Sequence, residues 1–199
     1  MIRYLISLFF IVNMILLLDF VVLPEAKAAA TVPLTVTVNG SLVITDADND
    51  TMSGKDPTKD VTINITPDLG ATTQTGTANF RIRTNRNVWR LTAQKTASNA
   101  GGTGLTDADV LLDVAKSVGT AGNLNSGTLV APFNAQTNIG SVTTTPVDVI
   151  SGTAKTSSSK DGTNENNYFQ VNTTYSVAPD FFYSAGTFAT TITYNLVSP

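Results

Sequence analysis

The chain of 199 residues contains no histidine and no cysteine. Their absence removes thiol nucleophiles, the serine–histidine–aspartate relay, zinc sites of the usual nitrogen and sulfur kind, and any disulfide framework. Charge is also scarce, at 14% of residues, with 15 acidic against 12 basic side chains and a net charge of −3. A mildly acidic chain without basic clusters lacks the Lys and Arg that displace counterions from phosphates, so no nucleic-acid partner is expected. Lys95 and Ser98 do not form an S-x-x-K motif, and no G-x-S-x-G elbow or phosphate loop occurs. Glycosidase chemistry needs one carboxyl kept protonated beside a second, and no such pair stands out. The chain is therefore not expected to be an enzyme, and no catalytic residue is assigned.

What is present begins with an apolar start. Arg3 precedes a mainly apolar run over residues 4–23, Pro24 interrupts it, and Ala26-Lys27-Ala28-Ala29-Ala30 supplies small residues. This is the layout of a secretory signal peptide over residues 1–28, with cleavage after Ala28 or Ala30. The rival reading is a membrane anchor, since the run is long enough to span a bilayer. Asn13 and Asp19 count against it, because a charge at the centre of a lone spanning helix costs about 2.5–3.5 kcal/mol. No second run of that length follows, so residues 29–199 are expected to form one secreted, extracellular domain without a transmembrane segment.

All 32 threonines follow Ala30. Threonine, valine and isoleucine carry two heavy substituents on Cβ and suit a pleated, half-buried surface. Leu34, Val36 and Val38 alternate with threonines, Asn39-Gly40 follows, and Ser41 to Thr45 is again apolar. Asn-Gly between two such runs is the strongest short-range hairpin signal, so a hairpin is predicted over residues 32–45. Similar runs recur at 61–65, 79–84, 89–93, 168–175 and 187–197, separated by turn-forming stretches such as Gly101-Gly102 and residues 157–162. Thr106-Asp107-Ala108-Asp109 reads either as a capping box opening a helix to Lys116 or as the approach to a strand through Val110-Leu111-Leu112. The strand is preferred, since Asp109 and Asp113 would repel on a helix. Many short strands with loops between them predict an all-β fold, a single antiparallel β-sandwich of immunoglobulin-like or Greek-key type with little helix.

Trp89-Arg90-Leu91 forms a W-x-L triplet, and the chain closes on Phe188, then Ile192-Thr193-Tyr194-Asn195-Leu196 and Pro199. This ordered pair of motifs resembles the WxL surface-domain family, with Phe188 where tyrosine is usual and Tyr194 in place of a second tryptophan. The resemblance implies a β-sandwich held noncovalently on the bacterial cell wall by contact with peptidoglycan, working with other surface proteins. It makes Trp89, Leu91, Phe188, Tyr194 and Leu196 candidates for wall or ligand binding. Packing accounts for the same residues, since Phe188, Ile192, Tyr194 and Leu196 share one face of a strand and a lone tryptophan is commonly a core anchor. The C-terminus also resembles that of chaperone-usher pilin subunits, which end in an alternating strand after a glycine held here by Gly186. That likeness implies self-association by strand addition, through a segment such as residues 31–38, although the usual cysteine pair is missing.

One stretch has ligand-like spacing. Asp46, Asp48, Asp50 and Asp56 follow the predicted hairpin, and D-x-D-x-D places hard oxygens on one side of a turning loop, as a structural calcium ion requires. Thr51 and Pro57 stand where the full calcium loop needs glycine and glutamate, so a solvated turn is the competing reading.

Overall fold

A computed structural model describes residues 33–199; the expected signal peptide and its cleavage sites lie outside the described residues. The described chain is nearly all β. Its strands are β1 (Leu42–Asp46), β2 (Gln74–Thr84), β3 (Trp89–Lys95), β4 (Leu111–Val118), β5 (Gly127–Leu129), β6 (Thr137–Asn138), β7 (Val147–Gly152), β8 (Phe169–Val177) and β9 (Ile192–Val197). They form two antiparallel sheets, ordered β1-β2-β8-β4-β6 and β5-β7-β3-β9, whose inner faces share one core. The expected β-sandwich is what the chain adopts. Among the described residues no helix is long and apolar enough to cross a membrane.

Alternation explains the sheets. In β3, Trp89, Leu91 and Ala93 are buried while Arg90 faces out; in β8, Phe169, Val171 and Thr173 are buried between less buried neighbours. Period-two spacing puts every second side chain on the same face, so each strand delivers one apolar row to the core. Phe80 of β2 meets Tyr194 of β9 at 5.1 Å between ring centroids, and Trp89 of β3 meets the edge of Phe169 of β8 at 5.8 Å. Both contacts join the two sheets, and aromatic pairs of this kind add about 0.5–1.5 kcal/mol beyond the area they bury. The Trp89 indole N–H donates to the Ala154 carbonyl at 2.7 Å, so its one polar atom is satisfied. Gly127 and Gly152 make room for this ring: a Cβ on either would run into the indole. The buried hydroxyl of Thr156 accepts from the Thr84 amide at 2.9 Å and donates to the Thr84 carbonyl, stitching the end of β2 to the segment after β7.

The strand through residues 111–118 forms, and the helix does not. Thr106 still makes the capping contacts, its amide and hydroxyl both donating to Asp109 at 2.7 Å, but they close only a turn. The predicted hairpin over residues 32–45 is not found. Residues 33–38 carry no strand and leave Leu34, Val36 and Val38 exposed, while β1 pairs instead with β2, Leu42 opposite Thr84. The cause is a long-range competitor. Asn85 accepts from the Ser41 amide at 2.8 Å and donates to the Asn39 carbonyl at 2.7 Å, so its side chain takes backbone groups on both sides of Gly40. Residues 61–65 alternate as predicted without joining a ladder, and Ile63 and Ile65 pack on the core. The last strand starts at Ile192 rather than Thr187; residues 187–191 are tied to the β3–β4 loop by an isolated bridge between Asn99 and Ala189.

Candidate functional site

The W-x-L triplet and the closing motif lie side by side. β3 and β9 are antiparallel neighbours, with Leu91 opposite Leu196 and Ala93 opposite Tyr194. The five candidate residues nevertheless divide. Trp89 and Leu91 are fully buried, and Tyr194 and Leu196 are half-buried against the core. Tyr194 lies between the sheets, where burial, reinforced by the neighbouring Tyr175, pushes its hydroxyl well above the ordinary tyrosine range. Phe188 lines a pocket.

The aspartates after β1 do not converge on one point. Asp46 accepts from the Asp48 amide at 2.9 Å and from Lys59 Nζ at 2.9 Å, and Lys59 also reaches Asp48 at 2.7 Å. The backbone hydrogen bond from Asp48, followed by that from Lys59, lowers the Asp46 carboxyl. Asp50 has a separate set of partners. It accepts from Thr45, from Arg81 at 2.9 Å, and from both terminal nitrogens of Arg83 at 2.7 and 2.6 Å. Burial works to raise this carboxyl, but the hydrogen bonds from Arg83, Thr45 and Arg81 outweigh it and hold the pKa at about 2. Arg81 in turn stacks 3.9 Å over the Tyr168 ring. Asp56 is exposed, at a positive φ of 52°. The stretch thus works as an ionic staple that fixes the loop after β1 to the outer face of β1 and β2. Among the described residues no group of three or more acidic side chains is placed to hold a metal ion.

A different constellation forms where the β3–β4 and β8–β9 loops meet. A pocket of about 380 Å³ is lined by Lys95, Ser98, Leu105, Asp107, Thr144 and Phe188, among others. Lys95 Nζ lies 2.7 Å from Asp107, with only 8% of the lysine side chain exposed, and Ser98 donates to the other oxygen of Asp107. Burial works to raise the Asp107 carboxyl, and the contacts from Lys95 and Ser98 overcome it and lower the pKa. The two loops are joined by the Ser184 amide donating to the Thr103 carbonyl at 2.9 Å. Gly102 and Gly104 adopt φ values of 80° and 77°, the left-handed region that favours glycine. Phe181 and Phe182, in the β8–β9 loop, are 70% and 79% exposed. They sit on a turn in which Asp180 accepts from the Phe182 amide at 2.7 Å, and Phe182 lies against Gly104, next to the pocket-lining Leu105.

Sequence reasoning missed this pair of phenylalanines. The signal was present in the string Pro179-Asp180-Phe181-Phe182: consecutive aromatics outside an alternating run cannot both face one core. Neither a protein-family model nor a curated protein matches the chain.

Proposed function

We propose that this chain is a non-enzymatic, secreted structural or adhesive protein of a bacterial surface, associated noncovalently with the peptidoglycan wall, as the WxL-like motifs imply. The observation that carries the proposal is the direct pairing of β3 with β9, since it unites motifs about a hundred positions apart in one sheet. Two short matches that fold into one unit are a stronger resemblance than two that fall apart. The test incubates the purified secreted chain with insoluble peptidoglycan and measures the pelleted fraction. Retention above a control protein is expected, and retention equal to the control rejects the proposal.

A second reading is a fimbrial subunit that polymerises by strand complementation. It is supported by residues 33–38, an alternating segment with exposed apolar side chains that, among the described residues, pairs with no strand. Such segments complete sheets in other molecules by main-chain hydrogen bonding. Deleting residues 30–38 abolishes polymers and keeps a folded monomer under this reading; unchanged assembly rejects it.

A further inference from the structure

The wall-binding candidates with the closest motif match are core residues, so a wall-associated chain must grip its polymer elsewhere. Ligand sites are concave, largely apolar and furnished with a few convergent polar groups. The junction of the β3–β4 and β8–β9 loops has this composition. Phe188 and Leu105 supply apolar wall, Lys95, Ser98 and Asp107 supply donors and acceptors, and the exposed Phe182 lies against Gly104, the neighbour of Leu105, with the exposed Phe181 preceding it in the chain.

The polar groups select among ligands. Lys95 and Asp107 neutralise one another, so the pocket offers no net charge for a phosphate or a lone carboxylate. Both keep unused capacity: an ammonium has three donors, of which Asp107 takes one and Ser98 a second at 3.5 Å, and each carboxylate oxygen accepts more than one hydrogen bond. A ligand that both donates and accepts without charge fits such a site, as hydroxyl and amide groups do. The aromatic rim adds a requirement for a flat apolar surface. Asp180 beneath Phe181 and Phe182 makes an anionic bilayer a poor partner, because insertion of the rings would carry a carboxylate towards it.

Resting on the wall-association reading above, we infer that this loop junction is the polymer-binding site, and that its ligand is the N-acetylated aminosugar of the glycan strand. A pyranose ring offers an apolar C–H face to Phe181 and Phe182. Its acetamido group offers a methyl to Leu105 and Phe188, an N–H to Asp107 and a carbonyl to Lys95.

The test compares wild type, Phe181→Ala/Phe182→Ala, Lys95→Gln and the control Gly162→Ala, where an added methyl meets no atom within 4 Å, for pelleting with insoluble peptidoglycan. Emission from the sole tryptophan, Trp89, checks that each variant is folded. The expected result is retention of wild type and control, at least tenfold weaker binding by the double variant, and release by a soluble N-acetylglucosamine tetramer at millimolar concentration. Equal retention of wild type and a folded double variant overturns this site and leaves wall association standing. Release by soluble stem peptide, with the tetramer inert, overturns the aminosugar assignment. Binding to phosphatidylglycerol vesicles that the double variant loses, with no binding to peptidoglycan, assigns the rim to a membrane and overturns the inference. Wild type that fails to pellet and binds no vesicles removes both the wall reading and this one.

Discussion

The hydroxyls of Tyr175 and Tyr194 lie 3.2 Å apart, joining β8 of one sheet to β9 of the other across the sandwich. Tyr194 also packs on Phe80, so one residue of the closing strand touches two strands of the opposite sheet.

Removing that hydroxyl by Tyr194→Phe is predicted to cost about 0.5–1.5 kcal/mol, the net worth of one hydrogen bond, while Tyr194→Ala costs about 3–5 kcal/mol through loss of the ring. Urea unfolding measures both. The same residue sets an alkaline limit. Its folded pKa is raised above 10.0, so the native state holds the proton more tightly and stability falls as pH climbs beyond about 10. Tyr194→Phe should flatten that decline, and an unchanged alkaline profile would refute the assignment.

Asp50 predicts the opposite, acidic limb. Its folded value of about 2 lies below the ordinary aspartate value of 3.8, so its contribution is fully present above pH 4 and is lost as pH falls towards 2. The difference corresponds to about 2 kcal/mol at neutral pH. Asp50→Asn should lose that amount at pH 7 and much less at pH 2. Equal losses at both pH values would show that the carboxylate's charge is not what holds the loop.

Gly152→Ala is predicted to destabilise by about 1–3 kcal/mol and to alter Trp89 emission, because the added methyl enters the space of the indole. Gly162→Ala meets no atom within 4 Å and should change stability by less than about 0.5 kcal/mol. Similar losses at both sites would mean that backbone entropy rather than the Trp89 contact governs the result.

The aspartates of the staple are already paired with Lys59, Arg81 and Arg83, so calcium has to displace a cation to bind them. Millimolar calcium is predicted to leave the melting temperature within about a degree. A saturable rise would demonstrate a site, since a ligand that binds only the folded state must stabilise it.

The sandwich was legible where one strand's own residues determine its character. β3 and β8 alternate apolar and polar positions, and no partner is needed to read that. Pairing was not legible, because it depends on remote residues: Asn39-Gly40 carries a strong local turn signal, yet the Asn85 side chain occupies the flanking backbone groups and β1 turns to β2. β7 went unread for a related reason. Its final glycine looks like a strand breaker until the Trp89 ring that requires it is in place. At the candidate site, Phe188 was found through its motif, whereas Lys95 and Asp107 are twelve positions apart and became partners only when the loop folded back.

The strand order also sets the pace at which the molecule forms. Arg81 meets Gln170 across 89 positions and Thr92 meets Asn195 across 103, so each sheet contains a ladder that unites distant stretches of chain. Closing loops of that size costs entropy before any contact rewards it, which places folding in the millisecond-to-second range typical of β-sandwiches. Throughout that interval valine- and isoleucine-rich strands lie open to one another between molecules. Outward threonines such as Thr75 and Thr77 of β2 and Thr193 of β9 then act as a safeguard against aggregation, keeping one face of those strands wetted until a partner arrives.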